Sequence, residues 1–163
     1  MTTLQNANGE AIPARPELTD EIIKKGIQQA LSDGGLSCFE LSSLPNRTRF
    51  TDDVLSSFDE GEGDAYQLAK TMDNTGNWHV DATFVHDMNT VIDFVEGALA
   101  HAERVWSEEH QPFSVFDEGA KLIQGIVLGV DASRVATYRV KAYGCDNNNR
   151  WLIVKFENAQ LAA

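Results

Sequence analysis

The sequence predicts an α+β fold in which a single antiparallel sheet packs against two to four helices. Three observations carry that expectation. Amphipathic helical segments occupy the first two thirds of the chain, a pair of β-rich segments flanks a Gly-Asn turn near the C-terminus, and no alternation of β and α periods suggests a parallel sheet. With 163 residues, 42% of them apolar, the chain has the material for a packed core and needs no cross-links to fold. The expected organisation is a flexible lead-in over residues 1–16, aperiodic and ending in Pro13 and Pro16, followed by one α+β domain over 17–163.

The first helix has the clearest local signal. Thr19 offers a cap, Asp20 and Glu21 suit the positive end of the helix dipole, and Ile23, Ile27, Ala30 and Leu31 recur at helical spacing until Gly34-Gly35 ends the run. The alternation from Leu36 to Leu41 then predicts a brief strand that Pro45 stops. Thr51 caps a short helix over Asp52 to Phe58, Asp59-Glu60-Gly61-Glu62-Gly63 reads as a turn, and a helix from Asp64 to Met72 gathers Ala65, Leu68, Ala69 and Met72 on one side.

From Trp78 the period changes to two. Trp78, Val80, Ala82 and Phe84 alternate with His79, Asp81 and Thr83, which predicts a half-buried strand. The longest helix follows from about Asn89 to Glu108, with an apolar stripe running from Val91 through Val95, Leu99 and Ala102 to Trp106. The segment Asp117 to Val130 fits either a buried strand or a helical face, and Gly119, Gly125 and Gly129 weaken both readings. The C-terminal hairpin is the firmest β element: Ala136, Tyr138, Val140 and Ala142 alternate with Thr137, Arg139, Lys141 and Tyr143, Gly144 to Asn149 supply the turn, and Trp151 to Phe156 return. Trp78 and Trp106 belong to the core by their periods. Trp151 lies on a strand with apolar residues on both faces, one of which suits an oligomer or partner interface.

The net charge of −12 is unevenly placed. Residues 1–50 carry −1, residues 51–118 carry −14, and residues 119–163 carry +3. A folded surface so acidic repels nucleic acid and anionic lipid and attracts basic protein surfaces, most of which themselves bind nucleic acid. The expected activity is therefore non-enzymatic: an acidic face docking on a basic partner, as in nucleic-acid-mimicking inhibitors of restriction or CRISPR complexes carried by phages and plasmids. That comparison rests on size, acidity and the lack of motifs. The candidate partner-binding residues are Asp52, Asp53, Asp59, Glu60, Glu62, Asp64, Asp93 and Glu96. The same charge also serves plain solubility.

Other chemistry has thinner support. His79 and Asp81, two apart on the expected strand, with His86 at its end, form the one metal-like set, although the same residues are ordinary on a solvent face. Cys38 with His79 or His86, and Ser133 with His101, lack any recognisable catalytic setting. No cofactor is expected, because the glycines at 61, 63, 125 and 129 lack the context of a phosphate loop. Cys38 and Cys145 form no paired motif, and no segment has the length and apolarity of a signal peptide or membrane span, so a cytoplasmic protein with reduced thiols is expected. Arg134, Arg139, Lys141, Arg150 and Lys155, interleaved with Tyr138, Tyr143 and Trp151, form an opposite, basic pole. It suits single-stranded nucleic acid in principle, but the overall charge favours its pairing with acids of the same domain or of a second subunit. The alternatives to an interaction protein are a small enzyme or ligand-binding domain using His79, Asp81 and His86 in a pocket between the long helix and the sheet, and an assembly subunit of a larger complex.

Overall fold

The computed structural model describes residues 11–58, 64–110, 118–144 and 150–163, with the side chains of residues 39 and 40 left aside. The architecture is α+β. Four α-helices, α1 (Asp20–Asp33), α2 (Leu44–Ser57), α3 (Ala65–Asp73) and α4 (Ala82–His110), precede four strands, β1 (Lys121–Leu122), β2 (Gly125–Val130), β3 (Thr137–Ala142) and β4 (Leu152–Lys155). The chain divides into two compact units: a helical unit of residues 17–100, and a sheet unit in which residues 1–16 join residues 101–163.

In the helical unit, α1 forms as its sequence dictates. The Thr19 hydroxyl accepts from the Ile22 amide, Ile23, Ile27 and Ala30 are buried, and the helix closes at Gly34, with Gly35 at φ +62°. It runs antiparallel to the first part of α4, Gly26 lying on Val95 and Gly34 beside Thr90. A β-carbon at Gly26 would stand 2.5 Å from the Val95 Cα, so only glycine permits this approach. Phe50 and Val54 of α2, Leu68, Ala69 and Met72 of α3, and Phe84, Met88, Val91 and Val95 of α4 complete the core. Each of the larger of these side chains, fully buried, stabilises the unit by about 1.5 to 3 kcal/mol before entropy is counted.

Three expectations fail in this unit. Residues 36–41 form no strand but a loop leading into a 3-10 helix at Phe39–Ser42. The amides of Ser37 and Cys38, which a strand would give to a neighbour, donate instead to the buried carboxylate of Asp87 at 2.8 to 3.1 Å. Pro45 does not stop an element but opens α2, in the first turn, where its missing N–H costs nothing. Thr51 is therefore inside the helix, and its hydroxyl donates to the Arg47 carbonyl. Nor is residue 78 the start of a strand: α4 begins at Ala82, and the Asp81 side chain accepts from the Phe84 amide at 2.8 Å, capping it. The short alternation around residue 80 coincides with one buried indole before the helix and one buried Phe84 within it.

The sheet is antiparallel in the order β1-β2-β3-β4. Of the ambiguous segment that ends at Val130, the described part forms the strands β1 and β2, and its glycines fit that arrangement. A side chain at Gly125 would strike the Lys141 carbonyl, and Gly129, at φ +142°, sits where the β2–β3 register shifts. The expected hairpin is present, pairing Thr137 with Lys155 and Val140 with Leu152. Leu161 bridges to Leu122, and the Ala162 amide donates to the Lys121 carbonyl, so the C-terminal tail covers the outer edge of β1. One face of the sheet carries Leu122, Val127, Tyr138 and Val140, which pack with Trp106, Ile12 and Phe156 as the core of this unit.

Residues 11–16 belong to the sheet unit. Ile12 is buried and the Pro13 carbonyl accepts from the Trp106 indole at 3.2 Å. Arg15 donates to the carbonyls of Val135 and Ala136 and to both oxygens of Glu157, with its guanidinium 5.1 Å from the Trp106 ring centre. Ala136, at φ +51°, is the only non-glycine residue with positive φ among those described, and the bond from Arg15 to its carbonyl helps to hold that turn.

Candidate interaction surfaces

The two units differ sharply in charge. The helical unit holds 16 acids and five bases, net −11, whereas the sheet unit holds nine acids and eight bases, net −1. This moves the division that the linear sequence suggests. The acids from Glu17 to Asp33 join the acidic unit, and those of the last turns of α4 fall to the sheet unit.

The predicted partner-binding acids separate into three groups. Asp52 on α2 and Asp93 and Glu96 on α4 are exposed, the latter two on neighbouring turns of one helix face. Asp53 and Asp64 have structural work. The Asp53 carboxylate accepts from the Trp78 indole at 2.7 Å and from the Asn77 amide group at 3.2 Å, and Asp64 caps α3 through the Tyr66 amide. Asp59, Glu60 and Glu62 lie outside the described residues.

The metal-like set loses its geometric premise. His79 and Asp81 share no strand face, Asp81 is the cap of α4, and His86 is exposed within that helix. Among the described residues no three His, Cys, Asp or Glu side chains are grouped to hold a metal ion. The Ser133 hydroxyl, paired with His101 in the sequence reading, donates instead to the Asp131 carboxylate two residues earlier, whose amide and hydroxyl bonds from Ser133 hold it below the usual carboxylate range, with Arg139 and Arg134 adding to the effect. Two cavities of about 240 and 230 Å³ are lined, respectively, by aliphatic and amide side chains around Val140, Leu152 and Gln160, and by Leu31, Leu36, Cys38, Leu41, Ser42 and Arg47. Neither lining includes a carboxylate or an imidazole.

The basic pole of the sequence becomes a definite surface. The four strands contain no carboxylate, and their four charged residues are Lys121, Arg139, Lys141 and Lys155. Register places all four on one face: Lys121 and Lys141 both oppose Ile126, Arg139 opposes Ile153, and Lys155 opposes Thr137. Trp151 and Tyr143, each about half exposed, stand just beyond the ends of β4 and β3. Tyr138 is a correction. It alternates with Arg139, is fully buried on the opposite face, and its phenol is pushed up by burial, so it cannot stack on a ligand.

Lys121, in the segment that fits either strand or helix, and the parts played by Arg15 and Asp87 are not legible in the sequence. A lone arginine between two prolines and one aspartate inside a helical stripe carry no pattern of their own. The polar residue at position 87, flanked by the apolar stripe Phe84, Met88 and Val91, was the available signal for a buried acid.

Comparison with protein-family models, with curated proteins and with solved structures returned no match. No helix among the described residues is long and apolar enough to cross a membrane.

Proposed function

We propose that this chain is a non-enzymatic interaction protein that docks the acidic surface of its helical unit onto a basic protein surface, most concretely the groove of a nucleic-acid-binding protein, which it occludes. The observation that supports this reading is the concentration of charge. The helical unit carries −11, and of its acids with described side chains all but Asp53 and Asp87 are exposed. Fixed carboxylates on helices offer a basic groove an alternative to phosphates without the entropy cost of ordering a flexible tail. Such a contact forms quickly, weakens with salt and depends on the sum of charges more than on any one.

The test is affinity capture at low and high salt by the native chain and by a variant carrying Asp52→Lys, Asp93→Lys and Glu96→Lys. These positions are exposed and, unlike Asp53 and Asp64, hold no described hydrogen bond, so the variant keeps the fold. The expected partner is basic, is released by salt, and binds the variant more weakly by roughly tenfold or more. A specific partner bound equally by both proteins at both salt concentrations overturns the proposal.

A further inference from the structure

The basic side of the sheet is a second surface. Three features make it a seat for a partner. Its charges are of one sign, Lys121, Arg139, Lys141 and Lys155, with no carboxylate anywhere on the strands. Ile126 and Ile153 lie between them, so a partner would meet apolar area as well as charge. Much of the reverse face is packed by Trp106, Ile12 and Phe156, apart from the cavity beside Val140 and Leu152. Lys121, Arg139 and Lys155 are exposed.

We infer that the occupant of this face is the acidic helical unit of a second copy of the chain. The acid half of that contact rests on the docking surface proposed above. Charge complementarity selects this occupant. A polyanion such as single-stranded nucleic acid is negative along its whole length, whereas a second copy, although also of net −12, carries −11 on one unit and only −1 on the other, so that its sheet unit adds almost no repulsion. A second copy presents that same −11 unit as the counter-charge, and each chain carries both halves of the contact. The contact joins unlike surfaces, which sets it apart from a two-fold pairing of identical patches. Self-association then shields the acidic surface until a more basic partner displaces the sheet.

The test is the mass of the full chain by light scattering and sedimentation, over a concentration series at low and high salt. At low salt the mass rises with concentration to at least twice that of one chain, and high salt returns it to that of one chain. Arg139→Glu with Lys155→Glu, on the sheet, and Asp93→Lys with Glu96→Lys, on α4, each leave single chains. An equimolar mixture of the two variants associates again, because each retains the half that the other has lost, and this recovery also shows that both are folded. A native chain that stays single at low salt throughout the series overturns the inference, as does association that neither variant weakens. So does tight binding of a single-stranded oligonucleotide that only the sheet variant loses. A chain that never self-associates but still binds polylysine, with Asp93→Lys and Glu96→Lys weakening that binding, overturns this inference and leaves the acidic docking surface standing. Loss of both overturns both.

Discussion

Arg15 grips Glu157 through two hydrogen bonds, Nε to Oε1 at 2.7 Å and Nη2 to Oε2 at 2.9 Å, joining positions 142 residues apart. Both side chains are more than nine-tenths buried, and two further guanidinium hydrogens reach two backbone carbonyls of the turn before β3. Four of the five guanidinium hydrogens thus meet an acceptor, and Glu103 stands 3.6 Å from Nη1, so the buried charge is well compensated, the condition under which a buried pair is tolerated. Taking away one partner leaves a buried charge.

This pair gives the sheet unit an acid-sensitive stability. Burial pushes the Glu157 carboxyl up, but the bond and charge of Arg15, together with a backbone hydrogen bond at Glu157 and the charge of Lys155, more than offset it and hold the carboxyl below its ordinary 4.5. The pair's contribution is therefore complete at neutral pH, begins to fall as pH drops below about 4.5, and is lost as pH passes through the lowered value in the folded state. Glu157→Gln is expected to cost about 3 kcal/mol at pH 7 and to flatten this acid limb. Arg15→Met with Glu157→Leu costs less than either single loss of charge. Denaturant unfolding at a series of pH values measures all three.

Adjacent acids on α2 are expected to behave oppositely. Asp53→Ala strands the Trp78 indole, which packs edge-on against Phe50 at 5.4 Å between ring centres, and costs about 1 to 3 kcal/mol. Asp52→Ala, on the exposed side, changes stability by no more than about 0.5 kcal/mol. Asp53→Asn retains one acceptor oxygen and falls between them. Urea titrations monitored by tryptophan fluorescence separate the three.

Asp87 is expected to pin the loop that follows α1. Its carboxylate is almost fully buried and takes the amides of Ser37 and Cys38, so Asp87→Ala costs about 1.5 to 3 kcal/mol and Asp87→Asn less. Amide hydrogen exchange at Ser37 and Cys38 reports the loss directly. Unchanged protection at those amides would show that the carboxylate does not hold the loop.

Two helical glycines give a paired prediction. Gly26→Ala forces α1 off Val95 and destabilises the helical unit by about 1 to 3 kcal/mol. Gly97→Ala places its methyl in open space on α4, where alanine is the better helix former, and stabilises by about 0.5 to 1 kcal/mol. Thermal unfolding of the two variants shows shifts of opposite sign.

Much of this fold is legible in the chain itself. Thr19 and the stripe of Ile23, Ile27 and Ala30 specify α1, and strict alternation through Tyr138 and Val140 specifies β3, because both signals depend only on local geometry. The exposed acids were legible as charge but not as function: Asp52 and Asp53 look alike until the indole of Trp78, 25 positions away, engages one of them. Local alternation misled around Trp78, where a helix cap at Asp81 was the stronger signal.

The sequence by itself determined the fold class, the helical stripes, the C-terminal hairpin and the total charge, since composition and short-range periodicity set these. Only the tertiary structure decided how that charge is divided, −11 on the helical unit and −1 on the sheet unit, because residues 1–16 and the end of α4 join the strands in space. It alone also decided which polar groups are buried. A carboxylate can leave water only where donors from distant parts of the chain converge on it, as they do at Asp87 and Glu157. And it placed Lys121, Arg139, Lys141 and Lys155 on one face, because strand register, which no single segment contains, fixes which side chains stand together.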